Sequence, residues 1–132
     1  MKATFTHENL DVYCRAIDFV VVADEVAASL QRGRSYLTDQ LRRAATSIAL
    51  NIAEGAGEFN RREKKRFYRI AKRSTTESAA ILDVCSRLGL SDREKIEQGR
   101  ALLLRIVAML TRLVRSDAGA DADAGADADA VV

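Results

Sequence analysis

The sequence of 132 residues contains no proline and no tryptophan, and aromatic residues make up only 5% of it. Alanine, leucine, arginine and glutamate are plentiful instead, and these residues lose little conformational freedom in a helix. The composition therefore favours helix almost throughout. A chain of this length suits one domain with a single hydrophobic core.

Long apolar runs and a secretory signal are also missing. No segment approaches the roughly 18 uncharged apolar residues that a bilayer-spanning helix needs. The N-terminal sequence MKATFTHENLDVYCRA lacks a basic region followed by an apolar core. We therefore expect a cytoplasmic protein that makes no use of a membrane.

Residues suited to catalysis are scarce. The single histidine, His7, lies near the flexible start of the chain, where it would make a poor general base or metal ligand. The sequence has no HExxH, CxxC or Glu-x-x-His pattern and no glycine-rich phosphate loop. The two cysteines, Cys14 and Cys85, fall on apolar faces of predicted helices, so we expect buried thiols rather than a disulfide or a metal pair. The sequence thus predicts no enzymatic activity, no metal and no cofactor.

The charges are distributed unevenly. Residues 117–132 form an Ala/Asp/Gly repeat with five aspartates, and without them the chain has 21 basic and 14 acidic side chains, a net charge of +7. Such a repeat buries too little apolar surface to offset the entropy lost on ordering. The sequence therefore predicts a basic domain over residues 1–116 and a disordered acidic tail over 117–132.

Apolar residues recur at helical spacing in four segments. The predicted boundaries are about His7 or Glu8 to Arg32, Thr38 to Gly55 or Gly57, Asn60 to Gly89, and Ser91 to about Arg115. Asn60 and Ser91 stand where helix caps are expected, each with a glutamate three residues later. The short links imply an all-α fold, an antiparallel up-and-down four-helix bundle.

The first and fourth predicted helices each carry two apolar stripes. The second stripe comprises Leu10, Ile17, Val21 and Ala28 in the first helix, and Leu102, Ile106, Met109 and Leu113 in the fourth. A bundle helix needs one apolar stripe for its core, and large exposed apolar patches are uncommon on monomers. We expect these stripes to form much of a homo-oligomer interface, although a broad core face would explain them as well.

The second helix carries a polar stripe made of Arg43, Ser47, Asn51 and Glu54. These side chains could bond within the bundle or between subunits, or they could bind a ligand or partner, and we favour the structural interpretation. Arg43 and Glu54 are three turns apart and so need other partners. Glu77 of the third helix is one candidate partner for Arg43.

The strongest clue to function is a basic segment in the third helix. Eight basic residues and one acid, Glu63, occupy residues 61–73. Four of them recur every three or four residues and therefore share one exposed face, which suits contact with several phosphates: Arg62, Lys65 or Arg66, Arg69 and Arg73. Tyr68 beside this face could stack on a base or could pack at the bundle edge. The candidate nucleic-acid-binding residues are Arg62, Lys65, Arg66, Arg69, Lys72 and Arg73, and a merely solvated helix face is the alternative.

Two segments of the sequence resemble a known protein family. QLRRAATSIALNIAEGAGE and RFYRIAKRSTTESAAIL are similar to four-helix-bundle proteins encoded within intervening sequences of bacterial 23S ribosomal RNA genes. The resemblance covers about residues 5–115. It implies a homo-oligomeric bundle, with a cyclic pentamer expected, and no settled activity. Distant relatives assist diversity-generating reverse transcriptases and bind nucleic acid.

The chain departs from that family at two positions. The family often has proline where Ala49 stands and glycine where Arg73 stands. Because a proline bends a helix, the departure at Ala49 predicts a straighter second helix. Arg73 adds a further charge to the basic segment.

Two functions remain open on the sequence. One is a non-enzymatic nucleic-acid-binding or accessory assembly that uses the basic face of the third helix, with RNA or DNA as partner. The other is an interaction scaffold that recognises a protein partner and has no nucleic-acid role.

Overall fold

The computed structural model describes residues 3–115, and the predicted tail at 117–132 lies outside this range. A short 3₁₀ turn, Thr6–Asn9, comes first. The four helices that follow are α1 (Asp11–Ser29), α2 (Ser35–Gly57), α3 (Arg61–Arg87) and α4 (Arg93–Arg115). No strand forms within residues 3–115, so the described chain is all-α, as predicted.

The ends of the first two helices differ from the prediction. Leu10 is extended, with φ −91° and ψ 127°, and it separates the 3₁₀ turn from α1. The first helix also ends at Ser29 rather than Arg32, and Gly33 follows in the connection with a φ of +92°. The second helix begins at Ser35, three residues earlier than expected, and continues unbroken to Gly57.

The predicted caps of α3 and α4 form in a different way. Asn60 Oδ1 accepts a hydrogen bond from the Glu63 amide at 3.0 Å, as predicted, but the Glu63 carboxylate pairs with Arg66 instead of closing the capping box. At α4, Asp92 Oδ1 rather than the Ser91 side chain accepts from the Glu94 amide. In both cases a charged partner replaces a neutral one, because hydrogen bonds with an ionised group are the stronger ones: the Arg66 guanidinium takes the Glu63 carboxylate, and the Asp92 carboxylate takes the Glu94 amide. The end of α3 at Gly89, with a φ of +65°, agrees with the prediction.

The four helices enclose one apolar core. Each contacts two others, in the pairs α1–α2, α2–α3, α3–α4 and α1–α4. The largest fully buried apolar side chains come from all four: Phe19, Val26, Leu41, Ile48, Ile52, Leu82, Ile106 and Leu110. In the part of the chain that the structure describes, no helix has the length and hydropathy needed to cross a bilayer.

The second apolar stripes of α1 and α4 have different environments. In α4, Ile106 is fully buried, and Leu102, Met109 and Leu113 pack partly buried against the core. These residues broaden the core face instead of leaving a separate stripe. In α1, Ile17 and Val21 remain exposed. Cys85 is buried as predicted, but Cys14 is exposed, since it lies outside the broad core face.

Candidate nucleic-acid interface

Four arginines of α3 form the basic face of the molecule. Arg62, Arg66 and Arg73 are exposed and Arg69 is half-buried. Their spacing of three or four residues places them along one side of the helix, over a length of about 16 Å. We refer to Arg62, Arg66, Arg69 and Arg73 as the arginine face.

Two residues of the predicted site lie elsewhere. The candidate nucleic-acid-binding residues Lys65 and Lys72 are only 7% and 8% exposed. Of the two alternatives for one position on the exposed face, Lys65 and Arg66, Arg66 is the exposed one. Lys65 and Lys72 recur with Tyr68 at intervals of three and four residues and therefore share its buried side of α3. Long aliphatic stems allow lysines to line such a side.

Tyr68 is a packing residue. It is 4% exposed, and its ring lies so close to Gly55 that a Cβ added there would stand 2.7 Å from Tyr68 Cε1. Burial also raises the pKa of the Tyr68 phenol. Of the two interpretations of Tyr68, packing at the bundle edge is therefore correct, because a ring in this position cannot stack on a base.

Lys64 closes the end of α2. Its Nζ donates hydrogen bonds to the carbonyl oxygens of Gly55 at 2.7 Å and Ala56 at 3.2 Å. These carbonyls belong to the last turn of the helix, where no amide of the same helix is available. One lysine of the basic segment thus stabilises the connection between α2 and α3.

The one acid in the basic segment is already paired. Glu63 Oε1 accepts a hydrogen bond from Arg66 Nε at 3.0 Å. The Arg66 guanidinium also lies 4.7 Å from the centroid of the half-buried Phe67 ring. Arg66 is thereby held in place on the surface, and Phe67 has an arginine against its ring.

One aromatic residue close in sequence to the arginine face was not among the predicted site residues. Phe59, in the connection between α2 and α3, is fully exposed. The sequence does contain a sign that Phe59 is exposed. Its neighbours are all polar or charged, namely Glu58, Asn60, Arg61 and Arg62, and they offer a phenylalanine little apolar surface to pack against.

Part of the polar stripe of α2 joins it to α3. Ser47 Oγ and Ser74 Oγ are 2.8 Å apart. Asn51 Nδ2 donates to the Ser47 carbonyl oxygen at 2.9 Å and to Ser47 Oγ at 3.1 Å. Ser78 donates to the Ser74 carbonyl oxygen within α3. For Ser47 and Asn51, these bonds fit the structural interpretation of the stripe.

The charged members of that stripe are placed differently. Arg43, Glu54 and Glu77 are exposed. Within residues 3–115 these three side chains make no hydrogen bond or ion pair. The suggested pairing of Arg43 with Glu77 is therefore wrong for the single subunit, because solvent solvates both side chains at little cost.

The structure offers few groups for chemistry. His7 lies in the 3₁₀ turn, with its ring centroid 4.6 Å from that of Tyr13 and 5.7 Å from that of Phe5. Burial raises the pKa of the Cys85 thiol, which disfavours the reactive thiolate. Among residues 3–115, no three His, Cys, Asp or Glu side chains cluster as a metal site requires.

Comparisons with known proteins agree with this architecture. A crystal structure from Bacteroides thetaiotaomicron, of a protein with unknown function from the S23 ribosomal protein family, superimposes with a TM-score of 0.73. It shares 22% sequence identity, and the match covers 79% of this chain and 98% of that one, which establishes a common fold. No curated protein matches the sequence significantly.

The family itself is recognised from the sequence. The model of the 23S rRNA-intervening sequence proteins matches residues 8–112, which include all of α1, α2 and α3 and most of α4. This range includes the RRAATSIALNIAEG segment and the arginine face. The chain therefore belongs to the family of 23S rRNA-intervening sequence proteins.

Proposed function

We propose that this protein binds nucleic acid without catalysis, through the arginine face of α3. The observation that carries the proposal is the alignment of Arg62, Arg66, Arg69 and Arg73 along one side of a single helix. Arginines spaced in this way can contact successive phosphates, and the counterions released drive binding. The nucleic-acid binding of the distant relatives named above supports the same function.

We also propose that the bundle is antiparallel and assembles as a homo-oligomer. Ser29 at the end of α1 lies 3.2 Å from Ser91 just before α4, and Asp11 at the start of α1 pairs with Arg105. These contacts support opposite directions for α1 and α4. The exposed Ile17 and Val21 support a subunit interface, and family resemblance favours a cyclic pentamer, in which the arginine face would be repeated around the ring.

A salt series on a variant tests the function. Fluorescence anisotropy would follow a labelled RNA or DNA oligonucleotide binding to the wild type and to a variant with Arg62, Arg66, Arg69 and Arg73 all replaced by Glu. Four phosphate contacts on a single strand predict a log–log salt slope of about −3. The variant should lose at least about tenfold in affinity at low salt, because each change replaces an attraction by a repulsion. Lys65 is left unchanged because a buried carboxylate would destabilise the fold.

The matched control is a second variant with the same change in net charge, made at four exposed arginines elsewhere on the protein. Arg87, Arg93, Arg112 and Arg115 are exposed and lie outside the arginine face. Replacing these four with Glu should leave much more of the binding intact. Equal losses in both variants would mean that only net charge matters. A wild type that binds neither RNA nor DNA at low salt would refute the proposal and favour the protein-interaction scaffold.

A further inference from the structure

The exposed ring of Phe59 suggests which form of nucleic acid the arginine face would take. We infer that Phe59 is a base-stacking residue and that the protein binds unpaired nucleotides. This inference rests on the function proposed above. Its starting point is that Phe59 is fully exposed, whereas most of the apolar side chains around it along α2 and α3 are at least partly buried.

The turn that carries Phe59 is fixed on both sides. The Glu58 amide donates to the Gly55 carbonyl oxygen at 3.2 Å, and the Asn60 amide donates to Glu58 Oε2 at 3.0 Å. Asn60 in turn caps α3. The backbone therefore presents the ring in one place, and binding through it costs little ordering entropy.

Phe59 lies close in sequence to the arginine face. It stands in the connection just before the cap of α3 and three residues before Arg62, the first arginine of the face. A basic track combined with an aromatic ring is the usual arrangement for binding single strands, because the track follows the phosphates while bases stack on the ring. In a duplex the base faces are covered by neighbouring bases, so the ring would contribute little.

The other aromatic residues of α3 are less suited to this role. The Tyr68 ring is buried against Gly55, and the half-buried Phe67 ring has the Arg66 guanidinium against it. Within residues 3–115, Phe59 makes no contact with another aromatic ring. Its immediate neighbours are the acidic Glu58 and the neutral Asn60, and the two arginines that follow, Arg61 and Arg62, leave this segment with a net positive charge that favours an anionic partner over an apolar protein surface.

The test compares Phe59→Ala, Phe59→Leu and Phe59→Trp with the wild type. Affinity for a labelled single-stranded oligouridylate and for an RNA duplex of equal length would be measured at low salt. Loss of one stacked base predicts that Phe59→Ala binds the single strand about 5- to 100-fold more weakly. Phe59→Leu should lose nearly as much, because leucine keeps the apolar surface but has no π-face, and Phe59→Trp should bind at least as well as the wild type.

Duplex affinity and the salt slope should not change in these variants, because Phe59 contacts no phosphate. The matched control is Phe5→Ala, which removes another exposed phenylalanine outside the face and should bind normally. If Phe59→Leu binds like the wild type, or if Phe59→Ala alters the oligomer mass, the ring makes an apolar protein contact and the inference fails. If single-strand binding is lost in the four-arginine variant but kept in Phe59→Ala, the stacking role of Phe59 is refuted while the function proposed for the arginine face stands. A wild type that binds no nucleic acid refutes both proposals.

Discussion

Gly55 shows how one residue determines the contact between two helices. A Cβ at this position would stand 2.7 Å from Tyr68 Cε1 and 3.2 Å from the Lys64 carbonyl oxygen. The first distance is far shorter than van der Waals contact, and neither the buried ring nor the backbone can move freely. Glycine at this point allows α3 to approach the end of α2, where Lys64 also bonds to the Gly55 carbonyl oxygen.

Replacing Gly55 with alanine should destabilise the protein. Overpacking costs about 1–3 kcal/mol, and the better helix propensity of alanine returns about 1 kcal/mol, so we expect a net loss of up to about 2 kcal/mol. Urea unfolding at one fixed protein concentration would measure the change. Gly57→Ala is the matched control, since a Cβ there meets nothing within 4 Å. Equal stabilities for the two variants would contradict the close contact with Tyr68.

At the scale of elements, α3 has two sides with different tasks. One side carries the arginine face, and another carries buried residues including Lys65, Tyr68, Lys72 and Thr75. The polar contact between Ser47 of α2 and Ser74 of α3 adds a specific link to the apolar packing. Ser74 is buried and Ser47 is partly buried, so their hydroxyls exchange hydrogen bonds to water for this contact and, at Ser47, for the bond from Asn51.

The serine contact can be measured with a double-mutant cycle. The variants Ser47→Ala, Ser74→Ala and the double variant should give a coupling energy of about 0.5–1.5 kcal/mol in urea unfolding. Combining Ser47→Ala with Thr76→Ala is the control, because Thr76 donates to the Lys72 carbonyl oxygen within its own helix. The control pair should be additive within about 0.5 kcal/mol. Additivity in the serine pair would mean that the hydroxyls do not stabilise each other.

For the whole molecule, the exposed apolar residues indicate where subunits would meet. The second apolar stripe of α4 largely joins the core, which leaves Ile17 and Val21 of α1 as the exposed part of the predicted interface. Around them lie the charged residues Asp18, Asp24 and Glu25. An apolar centre with a charged rim is typical of protein interfaces.

Light scattering should therefore find an oligomer that depends on α1. Val21→Asp should lower the mass towards that of the monomer, because an unpaired carboxylate would be buried in the interface. Leu50→Asp is the matched control on α2, since Leu50 is 60% exposed and Val21 55%. A monomeric wild type would refute assembly. Dissociation by Leu50→Asp alone would move the interface to another helix.

The four helices, the cap at Asn60, the end of α3 near Gly89 and most of the core could be predicted from the sequence alone. These features depend on residues within a few positions of one another, and helical periodicity and capping express them directly. The sequence also located the basic segment of α3 and the polar stripe of α2. The sequence could not show which residues of these two segments are exposed and which are buried, since Lys65 and Arg66, for example, are adjacent and equally basic.

Which side chains become buried depends on how the helices pack together. The approach of α2 at Gly55 buries Tyr68, and the same side of α3 takes in Lys65 and Lys72, whose aliphatic stems can line a packed surface. The turn between the two helices leaves Phe59 without cover although its side chain is apolar. Burial is a property of two elements together, because it depends on what packs against a residue, and the spacing within one element does not contain that information.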